Sequence, residues 1–161
     1  MIGDDLRALI GTETETLLGE ITLREIQRYA AAAGDLNPLY FDEEYARASA
    51  YGGIIAPPNY LTAIIGWAAG PPESELAPDG CLPDPIRPLL PGMQRAMGAG
   101  QELEFMAPVR PGDRITRVSR IADATERAGR SGPFVLITFE ERYVNQHGNV
   151  VVTCRSKVLV R

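Results

Sequence analysis

Cysteine is nearly absent from this chain. Cys81 and Cys154 are the two in 161 residues, and neither belongs to a CxxC pair. Histidine is scarcer still, with His147 alone. These shortages argue against a zinc site or a disulfide framework and fit a reducing compartment. Lysine is also nearly missing: Lys157 is the single one, and every other basic residue is arginine. No apolar run is long enough to span a bilayer. The longest stretch, near 54–69, is short and is broken by Pro57 and Pro58. The acidic start, Met1-Ile2-Gly3-Asp4-Asp5, does not read as a signal peptide. A cytoplasmic protein that neither spans nor sits in a membrane is the expectation.

What is present points to one folded unit. With 45% hydrophobic residues, residues 1–161 suffice for a single domain with its own core. No internal repeat or low-complexity segment stands out. A net charge of −5 argues against nucleic acid as the main partner. The charge is uneven. Residues 1–100 carry 6 basic and 14 acidic side chains, and residues 101–161 carry 10 and 7. The second set reads either as a solvated sheet face or as contacts for an anionic, phosphate-bearing carrier, which arginine grips in a bidentate fork.

Helices come first. Thr22 and Glu25 form a capping box ahead of Ile26, Tyr29 and Ala30, which recur at helical spacing. Gly34 suits the C-cap of that helix. Asp42 is a good N-cap for a second, short helix carrying Tyr45 to Ser49. Tyr51 to Pro58 reads as a loop before a third helix. There Tyr60, Ile64 and Trp67 share one side, and Leu61, Ile65 and Ala68 the next. That helix is apolar nearly all round and is expected to be buried. Residues 71–100 differ. Seven of the 13 prolines fall between Pro71 and Pro91. A long irregular segment is expected, either a lid or binding loop or a disordered insert.

Strands follow. Gln101 to Met106 alternates, and Asp113 to Ala122 does so imperfectly. Phe134 to Val144 puts Val135, Ile137, Phe139 and Tyr143 on one face. Asn149 to Val160 does the same with Val150, Val152, Cys154, Val158 and Val160. Asn145-Gln146-His147-Gly148 reads as the hairpin loop between the last two, and Pro111-Gly112-Asp113 as another turn. Helices followed by an antiparallel meander define an α+β chain.

Ala33-Gly34-Asp35-Leu36-Asn37-Pro38-Leu39-Tyr40 resembles the active-site signature of MaoC-like enoyl-thioester hydratases, G-D-x-N-P-hydrophobic-H. Tyr40 stands where the His should be. Glu102 to Phe105, followed by Pro108-Val109-Arg110-Pro111-Gly112-Asp113, resembles the family's later strand and its P-V-x-x-G-D turn. Ile55-Ala56-Pro57-Pro58 resembles the lead into its central helix. The likeness spans about residues 15–160 and is nearest to the FAS1-like dehydratase N-terminal domain. It implies a single hot-dog fold, a long curved antiparallel sheet wrapped around a buried central helix. It further implies an (R)-specific enoyl-thioester hydratase/dehydratase (a lyase) that uses no metal or redox cofactor. The substrate would be carried as a coenzyme A or acyl-carrier thioester. The working unit would be a homodimer, or a heterodimer with a second, catalytic MaoC-like subunit.

Hydrating an enoyl thioester needs a base for water, an acid for Cα, and donors for the thioester oxygen. In the family, the signature Asp and His hold the water, and a backbone N–H at the start of the buried helix polarises the carbonyl. Carried over, Asp35 matches the catalytic Asp, and Asn37 and Pro38 match the loop-shaping pair. Gly53, Pro58, Asn59 and Tyr60 fall at the substrate-binding segment. Two departures follow. Tyr40 has a reference pKa of ~10, so it is a hydrogen-bonding group rather than a ready base. Pro58 falls where the family's donor stands, and proline has no N–H. A register one residue later would offer Asn59 instead. Each feature also has a plainer reading: Asp35 to Pro38 as turn formers, Pro58 as a helix starter, His147 as an exposed turn residue.

Three readings follow from this. One is an accessory hydratase subunit with a degenerate site, its Pro-rich segment helping to shape an acyl site. Another is a self-sufficient hydratase or thioesterase using Asp35. The third is an acyl-thioester binding module without chemistry.

Overall fold

The computed structural model describes residues 2–64, 72–76, 80, 86–93, 95–130 and 132–161. Four short helices, α1 (Asp4–Leu9), α2 (Leu23–Ala32), α3 (Glu43–Ala48) and α4 (Tyr60–Ala63), accompany five strands. The strands are β1 (Glu13–Glu20), β2 (Ala96–Phe105), β3 (Arg114–Gly129), β4 (Gly132–Val144) and β5 (Val150–Val160). They form one sheet in the order β1-β3-β4-β5-β2, and every neighbouring pair is antiparallel. β1 and β2 are therefore the edges.

The helix boundaries follow the sequence signals. Thr22 Oγ1 accepts from the Glu25 N–H at 3.2 Å, and the Glu25 carboxylate accepts from the Thr22 N–H at 3.0 Å, which starts α2. Gly34 ends it at φ +71°. The Gly34 N–H donates to the Ala31 carbonyl and the Asp35 N–H to the Ala30 carbonyl, a Schellman closure. The Asp42 side chain accepts from the Tyr45 N–H at 2.9 Å and starts α3.

One sheet face carries the main core. Ile115, Tyr143, Val152 and Cys154 pack with Ile26 and Ala30 of α2 and with Tyr40, Tyr60, Leu61 and Ile64. Tyr29 meets Tyr60 edge-on, with ring centroids 5.5 Å apart. Ile64 is the last described residue of the expected third helix; Ile65, Trp67 and Ala68 lie outside the described residues. A second cluster gathers Leu6 of α1 with Ile121, Val135, Ile137 and Val160.

The sequence reading is refined in three places. The strand expected at Gln101 begins at Ala96, inside the 71–100 segment expected to be irregular. Ile86 and Leu90, from the same segment, are buried in the second cluster, so this part of it belongs to the core. β1 and α1 escaped the sequence reading altogether. The residues of β1 are exposed or half-buried, so no apolar alternation marks them. Among the described residues, no helix is long and apolar enough to cross a membrane.

The arginine-rich half of the chain covers the sheet with ion pairs. Arg120 meets Glu140 at 2.7 Å, Arg142 meets Glu13 at 2.9 Å, and Arg117 meets Glu141 at 3.5 Å. The hydrogen bond from Arg120 holds the Glu140 carboxyl below its usual range. These arginines fit the solvated-face reading.

Candidate active site

The α2 closure sets the backbone of Asp35 directly after Gly34. From there two side-chain turns follow in series. Asp35 Oδ1 accepts from the Asn37 N–H at 3.3 Å, and Asn37 Oδ1 accepts from the Leu39 N–H at 3.1 Å. Asn37 thereby caps a 3₁₀ turn, Pro38–Tyr40, whose first residue is the proline that suits such a start. The product of this local chemistry is the placement of Tyr40. Its side chain is 5% exposed, while Asp35 and Asn37 stay exposed.

The Tyr40 phenol feels the Asp35 carboxylate. Burial pushes its pKa up, and Asp35, then Tyr51, push it further. Tyr40 is therefore a neutral phenol at physiological pH, able to donate to Asp35 and unable to take a proton from water. Chemically, the pair is an exposed carboxylate with a protonated phenol as its neighbour.

Residues 51–58 touch the same turn at Leu39. The Ile55 N–H reaches the Leu39 carbonyl at 3.4 Å, and the Ala56 N–H donates to the Val109 carbonyl at 2.8 Å. Between the two chain segments lies an open, mostly apolar pocket of about 280 Å³. Ile55 to Pro58 and Leu61 line one side, Phe105 to Val109 and Val152 the other, and Tyr51 completes it.

Residues 56–58 offer no free backbone N–H. The Ala56 N–H is engaged by Val109, while Pro57 and Pro58 have none. The Tyr60 N–H closes onto the Pro57 carbonyl at 3.0 Å. Pro58 lines the pocket, whereas Asn59 is exposed and its side chain makes no cap to α4. Tyr60, 1% exposed, is a core residue that does not line the pocket, and burial raises its pKa. Gly53 lies beside Arg110, whose guanidinium donates to the Tyr51 carbonyl. His147 is exposed in the β4–β5 hairpin, with Nε2 3.2 Å from the Gln146 amide nitrogen, and lines none of this site.

Of the residues expected at the site, Pro58 lines the pocket, Asp35, Asn37 and Tyr40 share one turn and are not among its lining residues, and Tyr60 lies in the core. Tyr51, Phe105, Met106 and Arg110 were not singled out from the sequence. The P-V-x-x-G-D turn had signalled fold, and its closeness to residues 51–56 becomes visible only once β2 and the 51–58 loop are set side by side. Among the described residues, no group of three or more His, Cys, Asp or Glu could hold a metal ion.

Residues 8–154 match the family described as "FAS1-like, dehydratase domain region". The chain belongs to this FAS1-like dehydratase family. A UPF0336 protein of Streptomyces avermitilis is 32% identical over 142 residues, 88% of this chain and 85% of that one. A "probable enoyl-CoA hydratase alpha subunit" of Thermomonospora curvata is 30% identical over 174 aligned positions, 99% of this chain but 53% of its own length.

Two solved structures place the fold. A MaoC-like dehydratase from Rhodospirillum rubrum aligns with TM-score 0.68 at 28% identity, covering 99% of this chain and 96% of that one. The unliganded R-hydratase PhaJ1 of Pseudomonas aeruginosa aligns with TM-score 0.62 at 26% identity, covering 92% and 79%. The five-stranded antiparallel sheet is thus that of a single MaoC-like hot-dog domain.

Proposed function

We propose that this FAS1-like dehydratase chain is a subunit of an (R)-specific enoyl-thioester hydratase/3-hydroxyacyl-thioester dehydratase, and that its own Asp35 site is degenerate. The carrying observation is the buried Tyr40 phenol beside Asp35. Hydration attaches a hydroxyl at Cβ and a proton at Cα, so the site must take one proton from water and deliver one to carbon. Asp35 alone is a weak base, and a buried phenol that keeps its proton cannot share the work of taking the proton from water. The short supply of backbone N–H groups at residues 56–58 removes help for the thioester oxygen as it gains negative charge.

Two further points support the reading. Asp35 is exposed in the single chain, which fits a site that a second hot-dog subunit covers. The relative of T. curvata described as an alpha subunit aligns with nearly all of this chain. The partner would carry an intact Asp/His pair, and the substrate would be a coenzyme A or acyl-carrier thioester. The apolar pocket beside Tyr51 suits the acyl or pantetheine portion.

The test is crotonyl-CoA hydration by the purified chain alone, by Asp35→Asn, and by the chain mixed with an Asp/His-bearing hot-dog subunit. No turnover alone and turnover in the mixture is the expected result. Turnover by the chain alone that disappears in Asp35→Asn would overturn the degenerate-site reading. That outcome favours a second reading, a self-sufficient site in which Asp35 acts as base and the Tyr40 hydroxyl as the proton donor. The raised pKa that Asp35 gives the Tyr40 phenol is the observation behind it.

A further inference from the structure

Every other arginine whose side-chain bonds have been described here is neutralised by a carboxylate. Arg47 pairs with Glu43, Arg117 with Glu141, Arg120 and Arg155 with Glu140, and Arg142 with Glu13. Arg110 is different. Its guanidinium donates to a neutral acceptor, the Tyr51 carbonyl, and it has no carboxylate partner among the described residues. The nearby Asp113 is engaged elsewhere: its Oδ2 accepts from the Arg110 backbone N–H at 2.8 Å and so fixes the turn that presents the side chain.

Arg110 also sits at a particular place. It follows Val109 directly, and the residue it holds, Tyr51, lines the same pocket from the opposite segment. The half-buried guanidinium therefore bridges the two chain segments that enclose the pocket. A Cβ built on Gly53 would lie 3.5 Å from Nη1, an ordinary contact, so Gly53 borders the guanidinium with no side chain of its own. A guanidinium carries five donors. One nitrogen bonded to a carbonyl leaves donors and a full positive charge for something else.

We infer that Arg110 is an anion-recognition residue that contacts a phosphate of the thioester carrier where the pantetheine arm leaves the pocket. The inference rests on the acyl-thioester reading above and names the group by which the carrier is held. A pantetheine arm is long and narrow, its thioester end lies among apolar atoms, and its phosphate end must remain near solvent. A fixed guanidinium at the junction of the two lining segments meets that geometry, and a fork of N–H donors matches a phosphate. The phosphate next to pantetheine is shared by coenzyme A and by acyl carrier proteins.

The experiment measures binding of crotonyl-CoA, crotonyl-phosphopantetheine and crotonyl-pantetheine to the wild type, Arg110→Gln and Arg110→Lys, with thermal unfolding as a fold check. The wild type should bind the two phosphorylated thioesters more tightly than crotonyl-pantetheine. Arg110→Gln should weaken those two by about tenfold, the scale of one lost charge-assisted hydrogen bond, and leave crotonyl-pantetheine unchanged. Arg110→Lys should keep part of the preference, because it keeps the charge. Equal binding of both phosphorylated forms supports contact with the phosphate common to both carriers. A preference for crotonyl-CoA alone, lost in Arg110→Gln, supports contact with the nucleotide phosphates.

Two results overturn the inference while leaving the functional reading intact. One is an unchanged preference in Arg110→Gln. The other is an equal weakening of all three ligands, which would make Arg110 only the brace of residues 51–53. A wild type that binds none of the three overturns the thioester reading itself, and the inference with it.

Discussion

The negative charge of the exposed Asp35 carboxylate bears on the buried phenol of Tyr40. Asp35 raises the phenol pKa, so Tyr40 keeps its proton. A phenol that keeps its proton can donate one but cannot take one from water. A histidine in the same position would present a group that gains and loses protons near neutrality.

That contrast makes Tyr40→His an informative substitution. The variant is expected to raise crotonyl-CoA hydration by the chain alone by about 10²-fold or more, the usual scale of one added acid–base group. Asp35→Asn in the Tyr40→His background should abolish the gain. An initial-rate assay on folded protein decides it. A Tyr40→His chain as inactive as the wild type would place the main defect in the missing backbone donors at Pro57 and Pro58.

The tyrosines give a pH signature. Tyr40, Tyr60 and Tyr143 all have raised pKa values, chiefly through burial. Unfolded tyrosine ionises near pH ~10, so stability is unaffected by these groups below that point and is lost as pH rises through their folded values. Denaturant unfolding should thus show stability falling steeply above about pH 10. Tyr60→Phe keeps the ring against Tyr29 and should flatten that fall. An unchanged slope would show that Tyr60 does not carry the effect.

Gly34 tests how the site is positioned. At φ +71° it is in the left-handed region, and nothing lies within 4 Å of where a Cβ would sit. Gly34→Ala therefore meets backbone strain without a clash, worth about 1–2 kcal/mol. Because the Asp35 N–H closes the same motif, the substitution should also disturb Asp35. The expected result is a lower denaturation midpoint together with a changed Tyr40 titration, read by phenolate absorbance. A destabilised protein with an unchanged Tyr40 titration would separate the cap from the site.

Much of this site was legible because its chemistry is local. The box at Thr22 and Glu25, the cap at Gly34, the turns at Asp35 and Asn37 and the cap at Asp42 each depend on residues within a few positions, and all stand where the sequence put them. Long-range features were harder. β1 pairs with β3 across about a hundred residues and carries no apolar alternation, so only the partner strand reveals it. Tyr51 and Arg110 lie far apart in the chain and carry no joint signature until the fold brings them together. The Pro-rich segment misled in another way. Prolines exclude regular structure but say nothing about burial, and Ile86 and Leu90 fill a core position among them.

Leu90 supplies the last prediction. It is 1% exposed and packs with Leu6, Val135 and Val160, so the segment that carries it closes one end of the core. Leu90→Ala should cost about 2–5 kcal/mol, the range for a buried leucine that leaves a cavity. Glu73→Ala and Glu75→Ala, on the exposed 3₁₀ turn of the same segment, should change stability by about 0.5 kcal/mol or less. Equilibrium denaturation of the three variants measures the difference. Equal, small effects at all three positions would return the whole segment to the role of a surface loop. A large effect at Leu90 alone would mean that any change of acyl preference sought by trimming this region must spare residues 86–90.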